Sequence, residues 1–135
     1  MAYKISDIEG IGPVYTEKLT LIGIDSVEKL LEFGATIQGR NQLNEKTGIS
    51  LDLILRWVNM ADLFRIKGVA EEYADLLEAA GVDTVKELRN RVPANLHAKM
   101  LEVNNEKNLV RAMPSVSSVT DWVEQAKTLN PMVSH

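Results

Sequence analysis

The stretch Ile8-Glu9-Gly10-Ile11-Gly12-Pro13-Val14-Tyr15 has the residue types and spacing to hold a ligand. A tight turn carrying two glycines uses backbone angles that glycine adopts at little cost. Pro13 suits the first position of a helix, where a missing N–H is no loss. The amides of Gly12, Val14 and Tyr15 then have no partner inside the helix and lie at the positive end of its dipole. A phosphate oxygen is a natural guest for such a cluster. Lys18, about one turn further on, would add a charge-assisted contact, and Arg40 would assist. The candidate anion site is therefore Gly10, Gly12, Val14, Tyr15, Lys18 and Arg40. The plainer alternative is that the glycines only let two helices pack closely.

Other chemistries find no support. The chain has no cysteine, so it has no disulfide, thiolate metal site or cysteine nucleophile. Its two histidines, His97 and His135, lack companions at metal-ligand spacing, and no metal site is expected. Serines are scattered without a His/Asp set or a Gly-x-Ser-x-Gly elbow. No Walker loop or dinucleotide fingerprint is present. A non-enzymatic protein is expected. Trp57 and Trp122 lie on apolar faces and read as core rather than as platforms for nucleobases.

The positioning elements follow from a repeat. Ile8 to Leu30 aligns without a gap to Ile66 to Leu88, and eight of the 23 positions are identical. The substitutions Ile/Val, Gly/Ala, Glu/Asp and Ser/Thr keep size and chemistry, which indicates duplication of one unit. Ile54, Trp57, Val58 and Ala61 recur as Val119, Trp122, Val123 and Ala126 at a longer offset, so the second copy has a surplus, placed in Asn95 to Ser118. In the second copy Gly68 is kept but Ala70 replaces the second glycine and Glu71 replaces Pro13. Carboxylates there would repel phosphate, so the second turn, Gly68 and Ala70, reads as structural.

Apolar residues such as Tyr73, Leu76, Leu77 and Ala80 have helical spacing, and no stretch sustains the alternation of a strand. An all-α fold is expected: two tandem repeats, residues 1–62 and 63–135, packed into one compact helical domain. The predicted helices of the first repeat are Pro13–Ile22 with a Gly23 cap, Ser26–Phe33, Gln38–Lys46 stopped at Gly48, and Ser50–Phe64. The Trp122 helix is predicted to be capped by Ser118, with Asp121 completing the box.

These residues carry a resemblance. Ile5-x-x-Ile8-x-Gly10-Ile11-Gly12-Pro13-x-x-Thr16-x-x-Leu19 resembles the helix-hairpin-helix motif of DNA repair and recombination proteins. Gly10 and Gly12 match its glycine pair, Lys18 matches a frequent lysine, and Thr16 stands where alanine is usual. Over nearly the whole chain, including Thr47-Gly48-Ile49-Ser50 and Tyr73-Ala74-Asp75-Leu76-Leu77, the sequence is similar to an uncharacterised bacterial family of tandem helix-hairpin-helix proteins. The resemblance implies sequence-independent binding of the DNA backbone, with a monovalent cation held by carbonyls of the first hairpin as an optional ligand. The residues themselves call for no cofactor.

Bulk properties temper this expectation. Net charge is −4, against the positive balance usual for a strong nucleic-acid binder. Lys86 to Arg111 is locally basic, with six bases against three acids, a pattern that a solvated helix surface also gives. The alternative function is therefore a protein-interaction or scaffold module, binding a protein partner or a second copy. No apolar run is long enough for a membrane span, and the N-terminus lacks the apolar core of a signal peptide, so a cytoplasmic protein is expected.

Overall fold

The computed structural model describes residues 3–135, apart from the side chain of Glu71. The fold is all-helical. A 3-10 turn at Ile5–Asp7 precedes α1 (Pro13–Leu21), α2 (Val27–Gly34), α3 (Ile37–Thr47) and α4 (Leu51–Leu63). Then follow α5 (Ala70–Ala79), α6 (Val85–Leu88), α7 (Pro93–Lys107) and α8 (Val116–Thr128). Among the described residues no strand forms, and the extended pairing is limited to one isolated bridge between Lys4 and Ser26. No described helix is long and apolar enough to cross a membrane.

The chain divides into two compact units. The first holds the residues up to Asp62 together with Met132–His135, and the second holds Leu63–Pro131.

In the first unit, Pro13 opens α1. The helix ends in a Schellman turn: Gly23 N–H donates to Thr20 O and Ile24 N–H to Leu19 O, with Gly23 at φ 87°. Glycine is the residue that takes that angle without strain. Ser26 caps α2 by accepting from Lys29 N–H at 3.2 Å, and Thr36 caps α3 by accepting from Gly39 N–H at 3.0 Å. The buried face of α2 is Val27, Leu30, Leu31 and Gly34, at the spacing of an amphipathic helix. Two glycines set how closely the helices approach. A Cβ on Gly39 would stand 2.0 Å from Phe33 O, and one on Gly34 would stand 2.5 Å from a Val58 methyl. Ile8, Leu19, Leu30, Leu43, Ile54 and Trp57 fill the interior of this unit.

The second unit repeats several of these devices. Gly81 (φ 95°) closes α5 with the same paired bonds, Gly81 N–H to Glu78 O and Val82 N–H to Leu77 O. Thr84 caps α6 through Glu87 N–H at 3.3 Å. Its interior holds Leu76, Leu77, Leu88, Leu96, Met100, Val119 and Trp122, with α7 and α8 against each other and α5 against α7.

Most of the surplus Asn95–Ser118 lies in α7, whose buried stripe is Leu96, Met100 and Val103. One sequence expectation needs correction. The α8 cap is Ser115, not Ser118: Ser115 Oγ accepts Ser118 N–H at 3.0 Å, and the helix starts one turn earlier.

Candidate nucleic-acid interface

The first glycine turn is built from its neighbours inward. Ile8 and Ile11 are buried at 1% and 4% exposure and anchor both sides of the bend. Ile11 N–H donates to Ile8 O at 3.1 Å, and Gly10 completes the reversal at φ 96°. A Cβ on Gly10 would sit 3.3 Å from Trp57 Nε1. Glycine at 10 is therefore explained twice, by the backbone angle and by the indole packed behind it. Tyr15 meets the same indole edge-on, with ring centroids 5.0 Å apart. The Nε1 of Trp57 and the Oγ1 of Thr16 are buried there without a hydrogen-bond partner.

Gly12 is different. Its φ of −86° and ψ of −171° are open to any residue, and a Cβ there would meet nothing within 4 Å. The extended angle follows from Pro13, whose ring disfavours a helical residue before it. The helix ladder accordingly starts only with Thr16 N–H to Gly12 O, at 2.9 Å. No side chain caps this end. Val14 and Tyr15 thus present amides ahead of the ladder, beside open space at Gly12. Lys18 is exposed in the last turn of α1. It is four residues from Val14 and three from Tyr15, on their face, and Cα–Cβ bonds in a helix lean toward the N-terminus. Of the nearby acids, Asp7 is engaged locally, accepting Lys4 N–H at 3.0 Å, whereas Glu9 and Glu17 are exposed.

Arg40 does not join this cluster. It is 5% exposed, and its guanidinium is committed to the carbonyls of Gly34, Ala35 and Ser134. The expectation that it assists a phosphate is corrected on that ground.

The second turn departs from the first in three ways. Gly68 keeps the angle, φ 98°, but a Cβ there would come within 2.9 Å of Trp122 Nε1. Ala70 is wound into the helix start at φ 38°, since no proline follows it. The ladder begins with Tyr73 N–H to Val69 O at 3.0 Å, so the amide that matches Tyr15 is used inside the helix. The third difference is one that sequence reasoning missed. Gln125 of α8 clamps the turn on both sides, its Oε1 accepting Lys67 N–H at 2.9 Å and its Nε2 donating to Lys67 O at 3.0 Å. Three residues after Trp57, the corresponding position is Met60, which is buried and apolar. The signal was a polar residue, Gln125, at a position where the first Trp helix keeps a buried apolar one.

The basic stretch Lys86–Arg111 is partly neutralised. Arg91 pairs with Glu87 at 3.1 Å and also donates to Gly81 O, and Lys99 stands 3.7 Å from Glu102. His97 contacts Pro114 O through Nε2 at 2.9 Å. A monovalent cation at the first hairpin would rest on backbone carbonyls. Among the described residues no three His, Cys, Asp or Glu side chains gather as a metal site would need.

The family described as Domain of unknown function (DUF4332) matches residues 9–129. The chain belongs to that family. The matched range takes in both glycine turns and both Trp helices, and leaves out Met132–His135. No solved structure matches the chain.

Proposed function

We propose that this DUF4332 chain is a non-enzymatic pair of tandem helix-hairpin-helix repeats whose first hairpin grips the sugar-phosphate backbone of a nucleic acid without reading its sequence. One observation carries the reading: α1 begins with uncapped amides beside open space at Gly12, a glycine that neither backbone angle nor packing demands. An anion can approach the Val14 and Tyr15 amides closely there, with Lys18 adding charge. The second hairpin, with its turn clamped by Gln125, supports the fold.

A titration of fluorescent duplex and single-stranded DNA followed by anisotropy tests this. Lys18→Glu should weaken binding about tenfold, the scale of one charged phosphate contact reversed. Lys67→Glu, at the clamped turn, should change it less than about twofold. No binding at tens of micromolar protein in low salt would remove the proposal.

One observation favours the second reading, a protein-docking module. Val14 and Leu21 are 65% and 78% exposed and lie seven residues apart, so with Lys18 they line one open stripe of α1. Binding of a protein partner or a second copy through this stripe would be lost on Leu21→Asp, a change that leaves the hairpin amides in place.

A further inference from the structure

Arg40 is the functional-looking residue that the hairpin leaves unexplained. Its Nη1 donates to Gly34 O at 2.8 Å and to Ala35 O at 3.2 Å, and its Nη2 donates to Ser134 O. No carboxylate stands among these partners, and burial alone lowers its pKa from the usual arginine value. A buried guanidinium needs its fork of donors satisfied, and here the segment after α8 supplies part of that.

The same segment is held at two further points. Ser134 N–H donates to Ala35 O at 2.8 Å. The His135 ring lies 3.1 Å from Oδ1 of Asn59, which is 7% exposed. Both backbone groups of Ser134 are thus engaged, while Ser134 itself is exposed and Val133 is half-buried. What is bound is a stretch of backbone outside any helix, followed by a hydrogen-bonding ring. The residues leading to it, Asn130, Pro131 and Met132, are exposed and outside any helix.

We infer that Ala35, Arg40 and Asn59 form a receptor for a peptide segment, filled in cis by the chain's own Val133–His135 as a detachable strap. Release of the strap would turn Arg40 from a buried structural group into an available cation. The tether gives the strap an effective concentration in the millimolar range, so a free peptide competes poorly until the strap is weakened.

The test uses the 135-residue chain and the capped hexapeptide with the sequence Asn-Pro-Met-Val-Ser-His, followed by NMR at the Arg40 Nε–H and Asn59 side-chain amide. Ser134→Pro deletes the donated N–H from the strap. The peptide should then bind at a concentration roughly tenfold or more below that needed for the unaltered chain. Adding Arg40→Met should abolish this binding. Where that variant fails to fold, Asn59→Ala serves instead: it should erase the difference between the hexapeptide and its His→Ala version. Equal peptide binding by the unaltered and Ser134→Pro chains, or none by Ser134→Pro at millimolar peptide, overturns the inference. A concentration-dependent dimer that the peptide splits would place the strap on a second copy and overturn the cis assignment.

Discussion

Single residues in this molecule are fixed by what stands behind them. Gly10, Gly23 and Gly68 share a positive φ, yet their surroundings differ. A Cβ meets nothing at Gly23, the Trp57 indole at 3.3 Å at Gly10, and the Trp122 indole at 2.9 Å at Gly68. Gly23→Ala should therefore cost only the backbone term, about 1–2 kcal/mol. Gly68→Ala should add overlap with an indole that is 3% exposed and has nowhere to move, a further ~1–3 kcal/mol. Denaturant midpoints should rank Gly68→Ala lowest, Gly10→Ala between and Gly23→Ala highest; equal midpoints would refute the indole packing. Tyr73 offers a pH test. Burial first, and then the adjacent Glu72 carboxylate, hold its phenol pKa above the usual value. The native state keeps that proton longer than the unfolded chain does. The resulting stability is complete below about pH 10 and is lost as pH rises through the folded value. Tyr73→Phe should flatten the fall in denaturant midpoint above pH 10.

Helices here start and stop by local chemistry, and that is why much of the fold was legible. Pro13 and Gly23 bracket α1, Ser26 opens α2, and Gly48 at φ 72° ends α3. Each is a rule that a few consecutive residues can state. The start of α8 shows the limit of such rules. Ser115 follows Pro114, and Ser118 precedes Asp121, so two cap signatures compete within one turn. Ser115→Ala should cost about 1 kcal/mol, whereas Ser118→Ala should stay within about 0.5 kcal/mol; thermal unfolding of both variants decides between them. Two long-range contacts were hidden by distance. Gln125 reaches a backbone 58 residues away. Arg40 reaches one 94 residues away, and its partner is a carbonyl, which every residue carries and no sequence pattern marks. The sequence therefore offered Arg40 to the phosphate site, whereas the returning segment helps to bury it.

Across the whole molecule, electrostatics sets what the first hairpin can do. A net charge of −4 repels a polyanion at long range, and that repulsion is screened within about 10 Å at 0.1 M salt. Attraction must come from the short-range amides at α1 and from Lys18. On the proposed function such a site would neutralise one or two phosphates, so log K should fall with log salt at a slope of about −1 to −2. Glu9→Gln with Glu17→Gln removes two exposed acids flanking the hairpin. That pair should raise affinity several-fold at low salt, and the curves of altered and unaltered chains should converge as salt increases. Anisotropy titrations over a salt series measure both effects. A slope steeper than about −4 would mean more cations than this hairpin owns. It would move the contact surface to the bases between Lys86 and Arg111, where the ion pairs of Arg91 and Lys99 would first have to open.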